Sequence, residues 1–413
     1  MSAAGIKKIL GRPQSLLLRA PSGFKQHCLV ELTSLLKDPA TNYKFEVAIV
    51  PTTDDTILVE YCDLRQAVEL VYRLRTARQI YLNIAAGHVG SLGDLNKFLA
   101  KTSWDNYLKS GEKLSLSCSS FQSKVYAENK IKSLVSDALV ERGYKIDQAV
   151  GIPLQVIQQK NQCQLFLSLA GEALYQRGYK ESFKAKAPLN ENIASCLLCD
   201  LLSDMKGEDS DCDVFVPFAG SGTLGFECIS LMDKIYPGVT RKRGYAMCEA
   251  PWFPSATWNF LETNLQAATP PETRKLVFSE KSPQQAEELA ANLLSLEKKA
   301  STKLSAEVIV GDSLKYDWSQ HENRKLAVLI NPPYGHRLRP SDLSVRNLYR
   351  DLAISLVKAH KQKVSVFGFC LMAREDVFLS FRESLGELYT KTISFNQGGL
   401  HVRAVYFSYK PSV

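Results

Sequence analysis

Hydrophobic positions along this chain change rhythm near residue 186. Beyond it, short and nearly unbroken apolar runs appear: DVFVPF, KLVFSE, AEVIVGD, KLAVLINP and KVSVFGFC. Between them lie segments whose apolar residues recur every three to four positions, such as NENIASCLLCDLL, TLGFECISLM, SPQQAEELAANLLSLEKK, NLYRDLAISLVKAHK and the stretch around EDVFLSFRESLG. Unbroken runs read as strands buried on both faces, and their alternation with helices predicts a parallel, doubly wound α/β sheet over 186–413. Strands KTISFN and VRAVYFSY complete it.

Before residue 186 the elements are mixed differently. Residues 1–60 set the β-like runs SLLLRA, KFEVAIV and TILVEYC around the amphipathic CLVELTSLLK, a small α+β unit. Residues 61–180 open with a helix over LRQAVELVYRLRTARQIYL and continue with strand YLNIAAGHVG and helix SLGDLNKFLAKTSW. Strand KLSLSCSSF, helix AENKIKSLVSDALVERG and strands PLQVIQQK and QCQLFLSLAG follow, which predicts a second α+β module. The charged segment 179–190, YKESFKAKAPLN, reads as the linker.

Composition narrows this picture a little. A chain of 413 residues is too long for one ordinary core. No run of about 18 apolar residues suggests a membrane span, and the start lacks the apolar core of a signal peptide. Ten scattered cysteines read as reduced thiols of a cytoplasmic protein. The lone CxxC, Cys196 to Cys199, sits in an apolar helical pattern and reads as packing, so no metal is expected. The net charge is +8, and residues 1–182 carry 23 Lys and Arg against 17 Asp and Glu. Any grip on an acidic partner is therefore expected mainly in the N-terminal half.

The chemistry gathers at the ends of the C-terminal strands, where open α/β sheets bind ligands. Pro217-Phe218-Ala219-Gly220-Ser221-Gly222-Thr223 follows the first strand and opens a helix. It is either a structural turn or a cofactor loop whose glycines admit a ligand to the helix N-terminus. Glu280 ends the next strand, as a ribose acceptor or as a helix-start carboxylate. Asp312 ends the third, as an acceptor for an adenine amine or as a cap of the next turn. The fourth strand ends at Asn331-Pro332-Pro333-Tyr334, which suits a planar amine. The Asn331 amide oxygen and a Pro332 carbonyl can accept its two N–H groups, Pro333 stiffens the backbone, and Tyr334 can stack on the base.

At these residues the chain resembles the S-adenosylmethionine-dependent amino-methyltransferases, and among them the THUMP-domain RNA guanine-N2 methyltransferases of the bacterial 23S rRNA type. The likeness runs through RLRTARQIYL, WDNYL and SSFQSKVYAENKIKSLVSDAL to Ala187-Pro188-Leu189-Asn190-Glu191-Asn192. It continues through VPFAGSGTLGFE, ending at Glu227, the insertion carrying GYAMCEAPWF, NPPYG, and Asn396-Gln397-Gly398-Gly399-Leu400. It departs at Val216, where the family carries Asp, at Glu280, where Asp is usual, and at His336, where Glu usually precedes Arg337.

The resemblance implies a ferredoxin-like domain over 1–60, a THUMP RNA-binding domain over 61–180 and a Rossmann-like methyltransferase domain over 186–413. It implies S-adenosyl-L-methionine as cofactor, bound by Pro217, Phe218, Gly220, Gly222, Thr223, Glu280, Asp312 and Asn331, and catalysis by Asn331, Pro332, Pro333 and Tyr334. The implied partner is RNA, either 23S rRNA or an assembling large ribosomal subunit, met by a monomer with no membrane contact. Some relatives carry a second methyltransferase domain; with the chain ending at Val413, a single activity is expected. The rival readings are a tRNA guanine-N2 enzyme, a DNA adenine-N6 enzyme, a glutamine-amide methyltransferase (a group without this N-terminal module) and a non-catalytic RNA-binding assembly factor.

Overall fold

The two rhythms become two sheets in the computed structural model, which describes residues 12–37, 48–51, 55–180, 189–203, 212–265, 274–333 and 343–409. Internal contacts divide the described chain into two units. One draws on 1–21, 28–176 and 241–265, the other on 22–27, 177–240 and 266–413.

The first unit contains β1 (Gln14–Arg19), most of α1 (Lys25–Leu36), β2 (Ala48–Pro51), β3 (Thr56–Cys62), α2 (Leu64–Arg73), β4 (Gln79–His88) and α3 (Leu92–Lys101). It continues with β5 (Lys113–Phe121), α4 (Glu128–Val140), β6 (Lys145–Ile146), β7 (Ile152–Gln159) and β8 (Gln162–Ser168). The strands form a single eight-stranded sheet in the order β2-β3-β1-β4-β8-β7-β5-β6. The boundary expected near residue 60 thus falls inside one continuous sheet, because β1 pairs with both β3 and β4.

Helix α2 is shorter than its apolar periodicity suggested. It starts on a capping box, with Asp63 Oδ1 accepting from the Arg65 and Gln66 amides and Gln66 Oε1 accepting from the Asp63 amide. It stops at Arg73 because the Glu31 carboxylate accepts from the Arg75 and Thr76 amides, at 2.9 and 3.0 Å, and draws the chain out of the helix.

The insertion at 241–265 packs with this first unit rather than with the sheet that surrounds it in sequence. Arg241 donates through Nη1 to the Ala173 carbonyl and through Nη2 to the Ala170 carbonyl, both at 3.0 Å, and the Met247 amide donates to the Leu169 carbonyl. Trp258, on helix Ser255–Asn264, is fully buried with its ring 5.1 Å from Tyr72 and 5.6 Å from Tyr245.

The chain re-enters the second unit at Arg177, so Tyr179 and the side chain of Lys180, the expected start of a linker, are buried in it. Its elements are α5 (Glu191–Ser203), β9 (Asp213–Pro217), α6 (Thr223–Met232), β10 (Leu276–Glu280), α7 (Pro283–Ala300), β11 (Ala306–Val310) and β12 (Lys325–Ile330). Then come α8 (Leu343–Lys361), β13 (Ser365–Met372), α9 (Glu375–Leu385), β14 (Tyr389–Gln397) and β15 (Leu400–Ser408). The sheet order is β11-β10-β9-β12-β13-β15-β14, parallel from β11 to β13, with β15 antiparallel to both neighbours. The chain moves outward from β9 through β10 to β11, then returns to lay β12 on the other side of β9. That reversal is a topological switch point.

β9 is buried along its whole length, with Val214 and Val216 in one apolar cluster and Phe215 in the opposite one. No long helix links β11 to β12. Two short 3-10 turns do so, Ser313–Lys315 and Trp318–His321. Tyr316 stacks on Phe215 at 4.0 Å and 16°, and Trp318 meets the same ring edge-on. His321, fully buried, stands with Nδ1 2.6 Å from Asp213 Oδ2 and Nε2 2.7 Å from the Tyr316 hydroxyl. A carboxylate only accepts, so Nδ1 carries the hydrogen on the Asp213 side.

Burial alone would raise the Asp213 carboxyl pKa. Bonds from His321 and the Lys275 amide, with the Arg324 charge, outweigh it and hold the group below its ordinary value of 3.8. A depressed carboxylate adds stability above the unfolded-state pKa and loses it as pH falls through the folded-state value. Asp213→Asn should therefore cost about 3–5 kcal/mol at pH 7. Denaturant titrations should show that gap narrowing below about pH 4.

Candidate active site

Parallel strands leave their last backbone groups without partners, and here polar side chains from adjacent strand ends supply them. β9 ends at Pro217, and the chain turns through Phe218, held at φ +56°. The Phe218 amide donates to Ser313 Oγ (3.3 Å), the Ala219 amide to the Ser279 carbonyl (3.1 Å), and the Gly220 amide to Glu280 Oε2 (2.9 Å). Ser313 Oγ also donates to Ser279 Oγ at 3.0 Å, and Asn292 Nδ2 on α7 donates to the Ser221 carbonyl. The turns after β9 and β11 and the end of β10 are thereby tied together. Ser279 and Ser313 were not singled out from sequence; each reads as an ordinary small residue next to an acidic one.

Glu280 is buried, and its Oε1 accepts from the Ser282 amide at 3.0 Å. The carboxylate thus braces the glycine turn against the start of α7, while each oxygen keeps a lone pair. Asp312 is exposed and caps the 3-10 turn, its Oδ1 accepting from the Leu314 amide at 3.1 Å.

The two loop glycines do different work. A Cβ on Gly220 would meet no atom of the described residues within 4 Å, whereas one on Gly222 would lie 2.4 Å from Phe226 and 2.5 Å from Leu289. Gly220 opens on free space; Gly222 is demanded by the core and by its φ of +87°. Val216, where the resembled family carries Asp, lies in the same apolar cluster as Phe226 and Phe278.

Behind the loop, helix α6 is fixed by a charge-balanced buried layer. Glu227 accepts from Arg177 Nη2 (3.3 Å), the Tyr179 hydroxyl (3.1 Å) and Ser195 Oγ (2.6 Å). Lys180 Nζ stands 2.5 Å from Glu191 Oε1 and donates to Thr223 Oγ1 at 2.9 Å, at the first residue of α6. Burial lifts the Glu191 carboxyl above its ordinary range, with the Lys180 charge pulling the other way.

On the far side of the switch point, β12 pairs with β9 through Val328 opposite Phe215, which brings both strand ends to one level. Asn331 follows β12 directly. Its Oδ1 is buried and accepts no hydrogen bond among the described residues. Pro332 is buried and Pro333 exposed. Tyr334, like Gly335, His336 and Arg337, lies outside the described residues. Asn396 to Leu400 forms the tight β14–β15 turn, with Gly398 and Gly399 both at positive φ.

A seven-stranded sheet in this order, with a glycine turn after β9 and an Asn-Pro-Pro end to the central β12, defines a Rossmann-like methyltransferase fold. The chain belongs to the RMKL-like methyltransferase-domain family (UPF0020), whose model matches residues 177–401. Among curated relatives, the Ribosomal RNA large subunit methyltransferase K/L of Hahella chejuensis is 24% identical over 319 residues, covering 74% of this chain and 43% of that protein. The protein of the same name from Acinetobacter baumannii is 26% identical over 245 residues, covering 56% of this chain and 32% of that one. This chain thus spans less than half the length of these relatives. Among solved structures, SMU.472 complexed with SAH superposes with a TM-score of 0.70 at 20% identity, covering 97% of this chain and 100% of that one. TrmN from Thermus thermophilus gives 0.64 at 15% identity, with 96% and 99% covered.

Gly222→Ala should lose about 2–4 kcal/mol of stability, from a left-handed backbone plus an overpacked core. Gly220→Ala should lose only the backbone part, about 1–2 kcal/mol. Chemical denaturation of both variants checks the difference.

Proposed function

We propose that this chain transfers a methyl group from S-adenosyl-L-methionine to the N2 amine of a guanine in 23S rRNA, free or in an assembling large subunit. The observation that carries this reading is the buried, unpartnered Oδ1 of Asn331 at the carboxyl end of β12. A buried acceptor left unmade costs about 1–3 kcal/mol, which a substrate N–H would recover. The names of the Hahella and Acinetobacter relatives support ribosomal RNA as the substrate, and the SAH bound to SMU.472 supports the donor.

The donor fits this chain through the free space at Gly220, the remaining lone pairs of Glu280 and the exposed Asp312. In the proposed complex Gly220 and Thr223 line its methionine part, and Pro217, Phe218 and Gly222 hold the turn. Glu280 receives the ribose hydroxyls and Asp312 the adenine amine. The donor supplies an electrophilic methyl group on a sulfonium. The protein's task is then orientation. A guanine N2 lone pair is delocalised into the ring. With Asn331 Oδ1 and the Pro332 carbonyl accepting its two N–H groups, the nitrogen is drawn toward tetrahedral geometry and its lone pair is freed. Pro332 and Pro333 stiffen the backbone that presents the carbonyl, and Tyr334 supplies a stacking face. Two fixed acceptors and in-line placement account for much of the rate by proximity.

The target base is read as unpaired or flipped, since N2 is out of reach in a stacked duplex. We read residues 61–180 as a THUMP-like module and 1–60 as its ferredoxin-like partner, together positioning the RNA for a monomeric cytoplasmic enzyme.

Asn331→Ala should slow labelled methyl transfer to unmodified 23S rRNA by roughly 10²–10³-fold. Donor affinity measured by titration calorimetry should stay within a few-fold. Equal labelling by wild type and variant, or a labelled product other than N2-methylguanosine, would overturn the assignment. Parallel assays on tRNA and DNA separate the substrate classes.

A further inference from the structure

At the end of β5 in the first unit's sheet, two aromatic rings stand in water on one hydrogen-bonded loop. Phe121, the last residue of β5, is 62% exposed, and Tyr126, five residues on, is 78% exposed. The loop that carries them is locked. Ser120 Oγ donates to the Val125 carbonyl (2.7 Å), Ser123 Oγ to the Phe121 carbonyl (3.1 Å), and the Lys124 amide to Asn161 Oδ1 (2.8 Å). The Asn161 amide donates back to Ser123 Oγ (3.0 Å), and the Lys160 amide to the Phe121 carbonyl (3.2 Å). Lys160 and Asn161, at φ +49° and +63°, form the two-residue β7–β8 turn. Val125, buried between the two rings in sequence, anchors the loop inward.

Three lysines and one glutamate flank the rings along the chain and the facing turn. Lys124, Lys130 and Lys160 are exposed. The nearby carboxylate, Glu128, is engaged, its Oε1 accepting from the Ser120 amide at 2.9 Å. Fixed aromatic faces interleaved with cations are what a single strand of nucleic acid needs: bases stack on rings while phosphates meet ammonium groups. A duplex keeps its base faces to itself and would use only the lysines.

We propose that Phe121 and Tyr126 form a stacking platform for unpaired bases of the RNA substrate, with Lys124, Lys130 and Lys160 holding the adjoining phosphates. The platform rests on the reading of RNA as the partner, but not on the methyl-transfer chemistry. Because the loop is already ordered, binding orders little protein, which favours affinity.

The test is fluorescence anisotropy on the full chain, without methyl donor. One labelled RNA is an unstructured single strand of about 12 nucleotides, within the usual site size, and the other is a duplex of equal length. Phe121→Ala and Tyr126→Ala should each weaken single-strand binding by about tenfold or more, leaving duplex binding within about twofold. Tyr126→Phe should bind like wild type. Lys124→Ala and Lys160→Ala should flatten the salt dependence for both RNAs. Unchanged single-strand affinity in the alanine variants, equal losses on both RNAs, or no single-strand binding by the wild type would overturn the platform. A failed methylation assay with these binding results intact would count against the methyltransferase reading alone.

Discussion

The turn after β9 depends on one constraint: backbone amides at the end of a buried parallel strand must find acceptors, and the sheet supplies only part of them. The Ser279 carbonyl of β10 takes one amide, and the Ser313 and Glu280 side chains take two more. Because these groups come from the ends of β10 and β11, the shape of the glycine turn is set by the register of three strands rather than by its own glycines. The same strands end in Glu280 and Asp312, the carboxylates proposed to meet a donor. Loop and carboxylates are thus positioned by one set of strand ends, which keeps their relative geometry fixed.

The switch point has two sides with opposite treatment of polar groups. On the β9 side the amides of the glycine turn are satisfied internally, as is the balanced layer of Arg177, Lys180, Glu191 and Glu227. On the β12 side Asn331 keeps a buried acceptor open. Internal satisfaction is what stability favours, and an orphan acceptor works against it. Such a departure is tolerable where the surrounding frame is rigid and a substrate completes it.

Much of this was legible in the sequence, for physical reasons. Strands buried on both faces, such as Leu326 to Ile330, must be apolar throughout, so their runs and ends stand out. Glycine turns and the Asn-Pro-Pro break announce themselves because few other residues serve there. Other features were not legible. Glu280 and Asp312 each allowed two roles, and only coordinates show both carboxylates already bonded to backbone. Ser279 and Ser313 carry no periodic or motif signal. Helix α2 ended early because Glu31, distant in sequence, captured two of the following amides. The insertion's aromatic residues lack a repeating pattern, so nothing local shows that Trp258 packs on Tyr72.

That last packing has a consequence in time. Trp258 and Tyr72 belong to one core, yet the stretch that supplies Trp258 begins at residue 241, after the rest of the unit ends at 176. On a ribosome making about 5–20 residues per second, the nascent first unit waits several seconds or more for its missing piece. Phe24 waits longer still, for Phe395 on β14. During synthesis this chain therefore carries unfinished apolar surface at both of its future cores, and the first unit is completed at residue 265 while most of the second is still to be made.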